Sequence, residues 1–189
     1  MGDKPLTLAS NDFELFAVPV RFQQDAAALD ARWKELQREA HPDRFAAQGA
    51  AAQREAMQWS VRINEAYQRL KHPLKRAAYL CELAGAPVNA ENNTAMPADF
   101  LVEQMAWREA LDDAASEQDI VQLLQQVAQA RQAALQRCEQ LLDVQHDAVQ
   151  AVGQVRALMF IERFSSDVED RLDQWQSTPG AAGGQASAP

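Results

Sequence analysis

Apolar residues in this chain return every three or four positions through one stretch after another, and prolines or glycines fall where those stretches stop. At 100° per residue such spacing lays a single apolar stripe along a helix, and stripes must be buried against one another. Leu29, Trp33, Leu36 and Ala40 make the first long stripe, from about Asp25 to the stop set by Pro42. Ala56, Trp59, Ile63, Tyr67 and Leu70 make the second, in a helix predicted from about Ala50 to Lys71. Two amphipathic helices with a short connection pack antiparallel. A short helix precedes them, Asp12 to Ala17, capped by Asn11 or Asp12, with Phe13 and Phe16 as its buried side. It stops because Pro19 disfavours helical geometry in Val18. Another helix follows: Pro73 suits a first turn, Leu74, Ala77, Ala78, Leu80, Cys81 and Leu83 carry it on, and Gly85 ends it.

The pattern pauses over residues 86–96, which are polar and turn-rich and read as a linker. Three more helices are predicted beyond it: Leu101 to Leu111, then Glu117 to Gln145 with Ile120, Leu124, Val127, Ala134, Cys138 and Leu141 inward, then Ala148 to Trp175. Short connections make these a bundle. The expectation is therefore an all-α protein, with a flexible start over 1–10, a helical-hairpin domain over 11–85 and a three-helix bundle over 97–176. The tail, 177–189, has too little apolar surface to offset the entropy of ordering it. A chain of 189 residues accommodates two modest domains, and 7 Gly, 8 Pro and 7% aromatics suit helices.

A formal charge of -9 argues against binding nucleic acid, whose phosphates are met by Lys and Arg, so partners should be proteins. Cys81 and Cys138 each lack a second cysteine at metal-ligand spacing and fall in apolar helical patterns, which makes them core thiols and implies no metal or cofactor. No run reaches the ~18 apolar residues of a membrane span, and Met1 to Ser10 lacks the apolar core of a secretory signal. The chain is expected in the reducing cytoplasm.

His41-Pro42-Asp43 interrupts the two long helices. Proline gives a rigid exit, while His and Asp offer a donor and an acceptor to solvent. Lys34 and Arg38 lie one turn apart, roughly opposite the Leu29, Trp33 and Leu36 stripe, and form a basic outer face suited to an acidic partner. The residues alone also admit a plain polar turn, simple solvated charge, or a small hydrolase using His41 and Asp43. The last has neither a nucleophile nor metal-ligand spacing to support it. Taken together, NDFELFAVP, a basic helix ending in HPDRF, and INEAYQRLKHPLKRAAYL resemble a J-domain over about Asp12 to Gly85. The resemblance implies that His41, Pro42 and Asp43, with Arg38 and Lys34, contact a heat-shock-class ATPase and promote its hydrolysis of ATP. Two positions depart from that pattern: Ala40 stands where an aromatic is often found, and Arg44 where Lys is common.

The helix ADFLVEQMAWREALDD has too many apolar residues for one stripe. With Phe100 at 0°, Trp107 falls at about 340° and Leu111 at about 20°, while Leu101, Val102, Met105 and Glu109 fall between about 100° and 200°. If the first group faces the core, the second is an exposed apolar strip beside acidic residues, and Phe160 on the last helix, pointing away from Val155, Leu158, Ile161 and Leu172, extends it. Packing of that strip against another helix is the other reading. The arrangement is similar to the C-terminal bundle of HscB-type J-domain co-chaperones. That resemblance implies that Leu101, Val102, Met105, Glu109 and Phe160 bind an IscU-type iron-sulfur scaffold, which is then brought to an HscA-type chaperone. The cluster would belong to the scaffold, and the chain itself would catalyse nothing. Ala106 stands where an acidic contact occurs in the family. A J-protein serving a different client is the alternative.

Overall fold

A computed structural model of the chain describes residues 6–89 and 95–177. The first half of the flexible start, the middle of the linker and nearly all of the tail lie outside the described residues. What is described is helical, and it divides into two units: Met1–Pro87 with Cys138–Ala151, and Val88–Arg137 with Val152–Pro189.

In the first unit α1 spans Asp12–Phe16, α2 Ala26–Glu39, α3 Ala50–Lys71 and α4 Pro73–Leu83. Asn11 is the cap of α1: its side chain accepts the Glu14 N–H at 2.9 Å, and the Glu14 carboxylate accepts the Asn11 N–H at 3.1 Å. Asp12 is instead buried without exposed surface, its carboxylate 2.6 Å from Arg62 and 3.1 Å from Arg69. The Arg69 approach lacks hydrogen-bond geometry, so Oδ2 is held by charge alone. Asp25 caps α2 by accepting from Ala27 and Ala28. Leu29 and Leu36 of α2 are buried against the Ala56, Ile63, Tyr67 and Leu70 face of α3, while Trp33 stacks on Tyr67 at 4.9 Å and donates its indole N–H to Asn64. The end of α4 closes as a Schellman motif around Gly85, whose φ of 75° a side chain would strain, with Ala86 N–H bonded to the Cys81 carbonyl. Leu83, placed by its spacing on the apolar side, is exposed there.

In the second unit α5 spans Ala98–Asp112, and the long helices α6, Glu117–Glu139, and α7, Ala148–Ser177, contribute most of their length. Ile120, Leu123 and Val127 of α6 and Val155, Leu158, Ile161, Phe164 and Val168 of α7 form the core. Leu123 is the deeper of its pair, and Leu124, expected inward, is half-buried. A half-buried pair, Arg131 to Glu162 at 3.1 Å, and an exposed one, Gln176 to Glu117 at 2.7 Å, join the two helices. The single helix predicted from Glu117 to Gln145 ends in a π turn, Gln140–Val144.

Val88, inside the stretch read as a linker, is buried in this unit, and its carbonyl accepts from the Arg156 guanidinium. The same guanidinium reaches the Ala95 carbonyl at 3.1 Å. Arg156 itself is buried, so its charge is matched by carbonyl dipoles at both ends of the stretch.

Candidate functional site

The loop between α2 and α3 is a 3₁₀ segment, Pro42–Gln48, with proline at its first position. His41 is the residue ahead of it, in extended geometry, and its ring supplies the cap: Nδ1 accepts the Asp43 N–H at 3.3 Å. In the neutral ring that bond leaves the proton on Nε2. The Asp43 carboxylate is 3.6 Å from Nδ1 and its side chain is 91% exposed. The loop therefore presents a ring N–H and a carboxylate on a turn that proline and a cap have already ordered. Arg44 reaches back to donate to the Arg38 carbonyl at 3.0 Å, which ties the loop to the last turn of α2. Arg38 folds along its own helix toward the Lys34 carbonyl, and both residues are exposed. The five residues singled out from the sequence thus lie on the last two turns of α2 and the turn that follows it. Ala40 lines a groove of about 410 Å³ beside this loop, with Leu36, Phe45, Ala56, Trp59 and Ile63.

On α5 the two faces separate as the wheel predicts. Phe100 and Trp107 are buried, Leu111 is half-buried, and Leu101, Val102 and Met105 are 40%, 70% and 62% exposed. Glu109 is exposed beside them. Glu103, on the same helix, has its carboxyl pushed up by burial and then by the charge of Asp99. Phe160 sits deeper than an extension of the strip would. It is half-buried, edge-on to Phe100 at 5.7 Å and stacked on Phe164 at 5.7 Å, with Arg108 5.2 Å above its ring. Phe160 and Arg108 line a groove of about 500 Å³ with Leu111, Asp112 and Arg163. Aromatic side chains prefer these edge-on and offset contacts, so ring packing draws Phe160 inward although its position on the α7 wheel lies off the main stripe.

Arg108 and Arg156 were not singled out from the sequence, and Arg44 was noted only as a departure from the family pattern. Each acts on a carbonyl or a ring that its own position does not reveal. Among the described residues no cluster of His, Cys, Asp and Glu side chains is placed to hold a metal ion, and no helix is long and apolar enough to cross a membrane.

Comparison with known proteins agrees with this architecture at every level. Residues 96–169 match the family model of the HSCB C-terminal oligomerisation domain. A co-chaperone protein HscB homologue from Burkholderia multivorans is 45% identical over 175 residues, covering 91% of this chain and 99% of the relative. Another from Burkholderia thailandensis is 45% identical over 172 residues, covering 89% and 98%. Among solved structures, chaperone HscB from Vibrio cholerae superposes with a TM-score of 0.76 at 35% identity, over 87% of this chain and 99% of that one. Human co-chaperone protein HscB does so with a TM-score of 0.77 at 25% identity, over 89% and 83%. With a J-domain loop that is capped, a helical C-terminal domain following it in the chain and relatives matched along nearly their whole length, the chain belongs to the HscB co-chaperone family.

Proposed function

We propose that this protein binds an IscU-type iron-sulfur scaffold through Leu101, Val102, Met105, Glu109 and the rim of Phe160, and brings it to an HscA-type ATPase chaperone. Contact through His41, Pro42, Asp43, Arg38 and Lys34 then stimulates hydrolysis of ATP by that chaperone. The observation that carries the reading is the His41–Asp43 turn, ordered by proline and by its own ring cap, with the His41 ring exposed and the Asp43 carboxylate almost wholly open to solvent. A polar turn already held in one conformation loses little entropy on binding, which suits it to contact a protein surface. The strip on α5 supports the second contact. Three large apolar side chains in one arc, with a carboxylate beside them and the other face of the helix in the core, make a surface that a monomer leaves unburied only at a cost. The protein changes no bond itself and acts in the cytoplasm, where its two free thiols stay reduced.

The test is steady-state ATP hydrolysis by an HscA-type chaperone, with this protein and IscU added singly and together. Stimulation that rises synergistically, and is lost in His41→Gln while scaffold binding survives, is the expected outcome. Stimulation indifferent to IscU would select a J-protein for another client, and no stimulation at all would refute the assignment.

A further inference from the structure

One carboxylate in the first unit is used by neither the loop nor the apolar strip. Asp143, on the π turn Gln140–Val144, accepts the backbone N–H of Phe22 on Oδ1 and that of Gln23 on Oδ2, the second at 2.8 Å. Those amides come just before Asp25, whose side chain caps α2. Phe22 is buried, with the Arg76 guanidinium 5.0 Å over its ring, and Arg76 in turn donates to the Leu70 carbonyl in the last turn of α3. Burial pulls the Arg76 guanidinium down from its ordinary range, and the charge of Asp143 opposes that pull. Two charge-assisted bonds from one ionised carboxylate are among the stronger links a loop can have. Only Gln24 separates the held amides from the cap, so wherever Asp143 places Phe22 and Gln23, it also places the start of α2. That helix carries Lys34 and Arg38 and leads into His41.

We propose that Asp143 is a positioning residue for the chaperone contact, and that Cys138–Ala151, far from the J-domain in sequence, is a working part of it. The inference rests on the proposed role of the His41 loop and adds to it a residue of the same unit that lies far along the chain. Without the Asp143 carboxylate the entry to α2 loosens, and the helix presents its basic face and loop in a wider range of orientations.

The experiment compares full-length wild type, Asp143→Ala and Asp143→Glu by amide hydrogen exchange at Phe22 and Gln23 and by titration into the chaperone ATPase assay. In Asp143→Ala both amides should exchange roughly tenfold faster or more, as expected for the loss of bonds to a charged group. The concentration giving half-maximal stimulation should rise about threefold to tenfold while the maximal rate and IscU binding stay as in wild type. Asp143→Glu, which keeps the charge on a longer arm, should recover part of both. If Asp143→Ala does not fold, Asp143→Asn, with the same shape and one accepting oxygen, should show the same two effects at smaller size. Amides that stay protected, or amides that open while the titration is unchanged, overturn the inference. Stimulation by wild type with no shift in the variants refutes this inference alone, whereas no stimulation by wild type removes the reading beneath it as well.

Discussion

Burial decides what the two thiols of the first unit can do. Cys81 and Cys138 have no exposed surface; burial pushes the Cys81 thiol up to about 11 and Cys138 up to about 12, with the charge of Glu82 adding to the first and that of Cys81 to the second. The thiolate is the reactive form, so both should be inert to an aromatic disulfide reagent at pH 8 and should react on unfolding. Rapid labelling of the native protein would refute this. The sign for stability follows. The folded state holds these protons more tightly than the unfolded chain, so the contribution is complete below the ordinary thiol value of 9.0 and is lost as pH rises toward 11 and 12. Melting temperature should therefore fall as pH climbs above 9.0. That the cysteines are core thiols was legible, because each falls within an apolar period. His41, Pro42 and Asp43 were legible because they are contiguous. Asp12 with Arg62, Asp143 with Gln23 and Arg156 with Val88 were not, since 50, 120 and 68 residues separate the partners and a polar residue carries no periodic mark of its distant match.

Helix α5 shows at the scale of an element what a two-faced pattern means. Trp107 is buried between Phe100 at 5.9 Å and Phe164 at 5.9 Å, so Trp107→Ala should cost about 3–5 kcal/mol of unfolding free energy. Val102 and Met105 lie open, and replacing both by Gln, a good helix former, should leave denaturant unfolding within about 0.5 kcal/mol of wild type. The same double variant should lose scaffold binding. A large loss of stability in it would mean that the strip is packed rather than presented. Phe160 is a poorer probe, because its ring is part of the Phe100 and Phe164 cluster and its removal disturbs fold and surface together. Apolar spacing, with caps, prolines and glycines, located the seven α-helices of the described residues and told the two faces of α5 apart, because burial in a helix repeats with the turn, while the 3₁₀ segment Pro42–Gln48 was read as a loop. The spacing misplaced Leu83 and understated the burial of Phe160. Near a helix end the partner element stops before the stripe does, and ring-on-ring packing pulls in a side chain that the wheel leaves off the stripe. The π turn leaves no trace in the apolar pattern, since Leu141 stays buried through it.

That the chain divides into two helical units could be read from where the stripes pause, and the J-domain from a resemblance, but the membership of Cys138–Ala151 in the first unit could not. That membership depends on contacts between segments far apart in the chain, which no local window contains. The proposed function makes a demand at this same scale: the scaffold site and the chaperone site must be on one chain. A scaffold held by one domain meets the chaperone held by the other at an effective concentration set by the connection between them, which reaches roughly millimolar for short links. Two defective proteins test this. His41→Gln keeps the scaffold strip, and Val102→Gln with Met105→Gln keeps the loop, so a mixture supplies both sites on separate molecules. At about 1 μM of each the local advantage is lost by roughly a thousandfold, and the mixture should show only the scaffold-independent stimulation of the second variant. Wild type at the same concentration should show synergy with IscU. Full synergy in the mixture would mean that the two sites act independently, and the adaptor reading would then fail even though each site binds its partner.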